Sequence, residues 1–166
     1  MKKYLITGGC GFIGSNFIHF LLENQLSSQI VNLDKMTYAG NKDNLSTIEY
    51  DDYHFIKGDI CNQSTVRDIL EKYNPDVLVH FAAESHVDRS IDGPVEFVNT
   101  NIVGTMNLLN QSNQWLKRLG SEKKDSFRFV HISTDEVYGS LGAEGKFLES
   151  TPYDPSSPYS ASKASS

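Results

Sequence analysis

The chain is poor in cysteine, in basic residues and in long apolar runs, and each shortage removes a class of protein. Its 166 residues include two cysteines, Cys10 and Cys61, far apart and with neither CxxC spacing nor a histidine cluster. Neither a disulfide framework nor a zinc site is therefore expected, no metal is called for, and a reducing cytoplasm fits. Basic residues number 15 against 21 acidic ones, for a net charge of −6. That balance points away from nucleic acid and anionic membranes as partners and toward small molecules. The apolar run at residues 4–7 stops at Gly8, too soon for a secretory signal or a membrane span, and no longer run follows. Repeats, low-complexity tracts and linkers are lacking as well. The length suits one domain with a real core, so a single folding unit is expected.

What the chain does have is alternation. Apolar, β-branched segments at residues 4–7, 30–33, 53–57, 77–81 and 128–132 predict five strands. Helical spacing lies between them. Phe17 with Leu21 and Ile18 with Leu22 form i, i+4 pairs, and a short helical stretch runs toward Tyr50. A helix over 64–73 is expected to be capped by Ser64 and stopped before Pro75, and a long one runs from about 94 to 119. Residues 84–93 and 120–126 read as polar connections. The order predicts an α/β fold, a doubly wound, Rossmann-like parallel sheet with helices on both faces. Residues 140–158 hold Gly142, Gly145, Pro152, Pro155 and Pro158 and read as one long loop, a length that is usually functional or mobile. A helix beginning at Tyr159 follows it.

Gly8-Gly9-Cys10-Gly11-Phe12-Ile13-Gly14 satisfies GxGxxG from Gly9 and also the wider spacing Gly8, Gly11, Gly14. Between a strand and a helix this is the dinucleotide fingerprint, in which missing side chains leave backbone N–H groups open to a pyrophosphate at the positive helix end. The alternative is a glycine turn that binds nothing. Asp34 argues against it, because a carboxylate ending the second strand accepts hydrogen bonds from both adenine-ribose hydroxyls and repels a 2′-phosphate. NAD is thus expected over NADP, with Lys35 as the contrary residue. Asp59 and Ile60 end the third strand, and Phe81, Ala82 and Ala83 the fourth, so these should face the adenine and the middle of the dinucleotide.

Residues 133–139, Ser-Thr-Asp-Glu-Val-Tyr-Gly, set a hydroxyl and two adjacent carboxylates where the fifth strand ends. Ligands sit at that end of open α/β sheets, although alone the stretch also reads as a polar turn. Tyr159 and Lys163 lie four apart, one helical turn on one face. A phenol of pKa roughly 10 is a poor base at neutral pH. A nearby ammonium and a cationic nicotinamide both favour the phenolate. The Tyr-x-x-x-Lys pattern is common by itself and gains meaning from the fingerprint.

Through residues 7–14 and 159–163 the chain resembles the extended short-chain dehydrogenase/reductases. Asp-Lys-Met-Thr-Tyr-Ala-Gly-Asn at 34–41, Ala-Ala-Glu-Ser-His-Val-Asp-Arg-Ser at 82–90, Asn-Thr-Asn-Ile-Val-Gly-Thr at 99–105 and the stretch 133–139 are similar to the nucleotide-sugar 4,6-dehydratases of that family. Departures are Cys10, where alanine is usual, and Asn62, where aspartate is expected. The resemblance implies a lyase that turns dTDP-glucose into a 4-keto-6-deoxy sugar with NAD. It implies cofactor contacts from Gly8, Gly11, Phe12, Ile13, Gly14, Asp34, Lys35, Met36, Thr37, Asp59, Ile60, Phe81, Ala82, Ala83, Ser85, Thr100, Tyr159 and Lys163. Substrate contacts fall to Ser85 and Thr134, and catalysis to Thr134, Asp135, Glu136, Tyr159 and Lys163. His86, Asp88 and Arg89 either support their loop or meet sugar or a partner subunit, while His19, His54, His80 and His131 read as structural.

Related epimerases share the tyrosine and lysine but lack the carboxylate pair, so an epimerase is the alternative within the family. A homodimer built on the long helix is also implied. Members continue for roughly as long again with a domain that grips the nucleotide. The 166 residues therefore read as an N-terminal NAD-binding domain that lacks the C-terminal substrate domain, inactive alone and retaining weak NAD binding.

Overall fold

The computed structural model describes residues 1–166, and its five strands form one wholly parallel sheet. They are β1 (Lys2–Thr7), β2 (Ser27–Asp34), β3 (Tyr53–Lys57), β4 (Val77–His80) and β5 (Arg128–His131), in the order β3-β2-β1-β4-β5. The expected strands are all present, with ends moved by no more than a few residues. The helices are α1 (Phe12–Glu23), α2 (Gln63–Tyr73), α3 (Val87–Asp92), α4 (Pro94–Phe97), α5 (Thr105–Lys117), α6 (Ser121–Ser126) and α7 (Pro158–Ala164). None is long and apolar enough to cross a membrane.

Contacts divide the chain into two compact units, where length alone predicts one. The first, Met1–Ala82 with Asn107–Ile132, holds the whole sheet. Neighbouring residues of a strand face opposite ways, and the two sides of this sheet are filled by different helices. Leu5, Val31, Leu33 and Leu78 meet Val66, Ile69 and Leu70 of α2 and Leu108 and Trp115 of α5. On the other side Ile6 and Ile30 meet Ile18 and Leu21 of α1 and Leu45 from a 3-10 turn over Lys42–Leu45. Each such aliphatic side chain, fully buried, contributes about 1.5–3 kcal/mol.

Several local expectations are corrected. The cap of α2 is Asn62, not Ser64: the Asn62 side chain accepts from the Thr65 N–H at 3.0 Å, and the Ser64 hydroxyl donates to that same oxygen at 2.8 Å. The polar stretch 120–126 contains α6, whose Lys123 bonds Asp76 at 2.6 Å and the Asn74 carbonyl at 3.2 Å. The long helix is interrupted by a π-helical segment, Val98–Gly104, and ends at Lys117.

The second unit, Ala83–Met106 with Ser133–Ser166, contains α3, α4, the π segment, a 3-10 turn over Asp135–Tyr138, and α7. The long loop carries no helix or strand over 140–157, and Pro158, expected as its last residue, is already helical. Pro158 opens α7, where its fixed φ costs nothing and its missing N–H is not needed. Ser157 and Ser160 close a reciprocal capping box, with both backbone-to-hydroxyl bonds at 3.0 Å.

Candidate active site

In the first unit the glycine loop is shaped by what surrounds it. Gly8 has φ +73°, and a Cβ there would fall 2.6 Å from the Ala82 nitrogen; at Gly14 it would strike the Gly8 carbonyl. The glycines are therefore demanded by the loop's own packing as well as by any ligand. Gly11 stands before α1 with no side-chain cap, so the first-turn N–H groups have no such partner there. Phe12 and Ile13, 81% and 60% exposed, follow directly.

The Asp34 carboxylate is buried and already oriented. Its Oδ2 accepts from the Cys10 N–H at 2.9 Å and its Oδ1 from the Met36 N–H at 2.8 Å. Met36 has φ +59°, a left-handed conformation uncommon for a side chain of this size. Gly40 lies so close that a Cβ would come 3.2 Å from Asp34 Oδ1, and exposed Thr37 lies in the same turn. Lys35 forms an ion pair with Asp59 at 2.8 Å. Burial pushes the Asp59 carboxyl up, but Lys35 and the Cys61 N–H outweigh it and hold the group below its ordinary value. Ile60 is turned into the core, Phe81 packs on Phe17 with ring centroids 5.4 Å apart, and Ala82 lies against Gly8.

Asn32 was not foreseen. It is fully buried in β2, accepts from the Gly9 N–H at 3.1 Å and donates to Tyr53 Oη at 3.0 Å. The signal is a lone amide inside the apolar run 30–33, because a buried polar group must find partners.

In the second unit Thr134 is the hub of the catalytic candidates. Its Oγ1 accepts from the Glu136 N–H at 3.3 Å, so it caps the 3-10 turn that carries both carboxylates, and it lies 3.4 Å from Asp135 Oδ1. It also acts on the Tyr159 phenol, whose pKa it pulls down. Burial pushes the Tyr159 phenol up, Thr134 pulls it down, and the charges of Glu136 and Asp135 push it up again, for a net rise. The phenol is therefore protonated at neutral pH in the protein's own field. Lys163 is 5% exposed, and burial pulls its pKa down to about 8. The expected lowering of the tyrosine by this lysine is not among the causes, which are burial, Thr134 and the two carboxylates.

Asn101, quoted above only as part of a motif, holds this unit together. Its oxygen accepts from the Glu84 N–H at 2.8 Å, and its amide donates to the Glu84 carbonyl at 2.9 Å and to Ser162 Oγ at 2.8 Å. Ser162 in turn donates to the Tyr159 carbonyl at 2.7 Å. Exposed Ser85 follows Glu84, half-buried Ala83 precedes it, and half-buried Thr100 precedes Asn101. Phe97 packs edge-on to Tyr159. Beside Thr134 and Asp135 opens a concavity of about 470 Å³, lined also by Tyr138, Phe147, Leu148, Glu149 and Tyr153. Its loop residues were not singled out by type or spacing. Two of the histidines read as structural find ordinary partners: His80 Nδ1 lies 2.7 Å from Thr7 Oγ1, and His19 Nε2 lies 2.8 Å from the Asn44 carbonyl.

Residues 5–166 match the family model described as GDP-mannose 4,6 dehydratase. A relative in Xanthomonas campestris pv. campestris (strain B100), a dTDP-glucose 4,6-dehydratase, is 52% identical over 167 residues, covering 100% of this chain and 47% of that protein. Among solved structures, the dTDP-glucose 4,6-dehydratase of Streptomyces venezuelae, with NAD bound, superposes with TM-score 0.88 at 42% identity, covering 98% of this chain and 48% of that one. A UDP-glucose 4-epimerase of Thermus thermophilus, in complex with NAD, gives TM-score 0.81 at 29% identity, with coverages of 98% and 47%. The chain thus spans about half the length of the relatives it matches.

Proposed function

From the premise that the chain belongs to the GDP-mannose 4,6 dehydratase family, we propose that its protein is a nucleotide-sugar 4,6-dehydratase, a cytoplasmic lyase acting on dTDP-glucose with NAD. The family description names a GDP sugar, but a dTDP-glucose enzyme at 52% identity supports the thymidine nucleotide. The carrying observation is the group Thr134, Asp135, Glu136 and Tyr159, in which one hydroxyl caps the turn that bears both carboxylates and pulls down the pKa of the phenol.

The glycine loop and Asp34 fit NAD. The crowded glycines leave a bare backbone at the start of α1, and the Asp34 carboxylate, fixed by two N–H donors, keeps spare lone pairs for ribose hydroxyls. Lys35 pairs with Asp59, which weakens the objection to NAD over NADP. When bound, the cofactor supplies reversible acceptance of a hydride, taken from C4 of the sugar and returned to C6.

The chain's residues then move protons. Thr134 hydrogen-bonds the sugar 4-oxygen, and Tyr159, protonated without the cofactor, would be driven to the phenolate by the cationic nicotinamide and as phenolate would take the 4-hydroxyl proton as that carbon is oxidised. Lys163 holds the ribose next to the nicotinamide, and its positive charge favours the phenolate. The 4-keto group acidifies C5–H, Glu136 removes that proton, and Asp135 donates one to the departing 6-hydroxyl. Elimination needs one acid and one base, and adjacent carboxylates can divide those roles when their environments differ.

Epimerases of the same fold are the second reading, since the Thermus thermophilus structure superposes almost as well. Asp135 and Glu136 favour dehydration, because epimerisation has no leaving group to protonate. A homodimer belongs to the same proposal, supported by the exposed apolar side chains Ile91, Val95, Val98, Val103 and Met106 on α3, α4, the π segment and the start of α5. In the full-length protein, Asp135→Asn should still oxidise C4 and should slow water loss by about 10²- to 10⁴-fold. An unchanged overall rate with dTDP-glucose would remove Asp135 as the acid, and epimerised product from the wild type would favour the second reading.

A further inference from the structure

Asn32 does more than satisfy itself. Its side chain is fully buried in the middle of β2, two residues before Asp34. The Gly9 N–H can only donate, so the carboxamide oxygen must face it; the amide nitrogen is thereby turned to Tyr53 Oη at 3.0 Å and Cys10 Sγ at 3.5 Å. The Cys10 N–H in turn donates to Asp34 Oδ2, and its carbonyl accepts from the Asn41 N–H at 3.0 Å and from the Asn44 side chain at 3.2 Å. One side chain thus ties β3, through Tyr53, to the glycine loop and to the turn that follows Asp34. The fit is close: a Cβ on Gly9 would lie 2.6 Å from Asn32 Cγ.

We propose that Asn32 is a positioning residue for dinucleotide binding, its carboxamide oriented by Tyr53 and holding the Gly9–Cys10 backbone so that the loop's free N–H groups and the Asp34 carboxylate are presented together. The proposal rests on the reading of this loop as an NAD site. It gives Asn32 no contact with the ligand; its effect passes through Gly9 and Cys10. A hydrocarbon of similar size at this position would keep the core filled and release the loop. The cost of losing one such hydrogen bond sets the scale, roughly three- to tenfold in affinity.

The test uses the full-length protein with Asn32→Leu and Tyr53→Phe, read by NAD⁺ titration, thermal melting and hydrogen exchange at the Gly9 amide. Asn32→Leu should weaken NAD⁺ binding roughly three- to tenfold and speed exchange at Gly9, with Tyr53→Phe acting in the same direction by a smaller factor. A lowered melting temperature with unchanged NAD⁺ affinity would make Asn32 purely structural and overturn the proposal. Should Asn32→Leu fail to fold, Tyr53→Phe decides, since unaltered affinity and exchange there refute the orienting contact. A wild type that takes up no NAD⁺ brings down the proposed function instead, and Gly9 exchange still decides whether Asn32 holds the loop.

Discussion

Lys163 is a buried cation, and its pH dependence has a definite sign. Its pKa falls from 10.5 to about 8 through burial, so below about 8 it is charged in both the folded and unfolded states and the fold bears the cost of burying that charge. Between about 8 and 10.5 the unfolded chain holds the proton and the folded one does not, so this residue's contribution to stability rises with pH, by on the order of 3 kcal/mol across the window. Denaturant melts of wild type and Lys163→Met, without added cofactor, should diverge over that range; a constant difference would show that the lysine is not desolvated. At this scale the sequence was readable where chemistry is written in residue type and spacing, as at Asp34 and at the Tyr159, Lys163 pair. Asn32 and Asn101 escaped notice because an amide has no diagnostic spacing. Its role depends on which backbone groups the fold brings to it.

Elements were legible through periodicity, their ends and irregularities less so. The apolar runs gave all five strands, since parallel strands covered on both faces need apolar residues at nearly every position. The π segment Val98–Gly104 left no such trace, because widening a turn changes which carbonyl meets which N–H and not the character of the side chains. Capping shows the same limit, for both Asn62 and Ser64 are good caps by type and only geometry chooses between them. Asn62→Ala should destabilise the protein by about 1 kcal/mol. Ser64→Ala should cost less, because its hydroxyl only supports the Asn62 oxygen. Urea titrations of the two variants would compare them directly, and a larger loss for Ser64 would reverse the assignment.

At the scale of the whole molecule, alternation of strand and helix was enough to predict a parallel, doubly wound sheet. The division into two compact units was not visible, because both units are discontinuous in sequence. The proposed dimer is tested here: Val98→Asp on the exposed apolar stripe should shift the full-length protein toward monomer in light scattering, and an unchanged mass would place the interface elsewhere. The sheet order also has a consequence for how the chain is made. β1 lies at the centre, with β2 and β3 on one side and β4 and β5 on the other. The wing that carries the glycine loop and Asp34 is fully synthesised once Lys57 is made, whereas the other wing waits for Arg128–His131. On a ribosome adding roughly 5–20 residues each second, the free edge of β1 is covered once β4 is made, but the edge of β4 then stays unpaired for several seconds until β5 follows, and that interval is when a chaperone would be most needed.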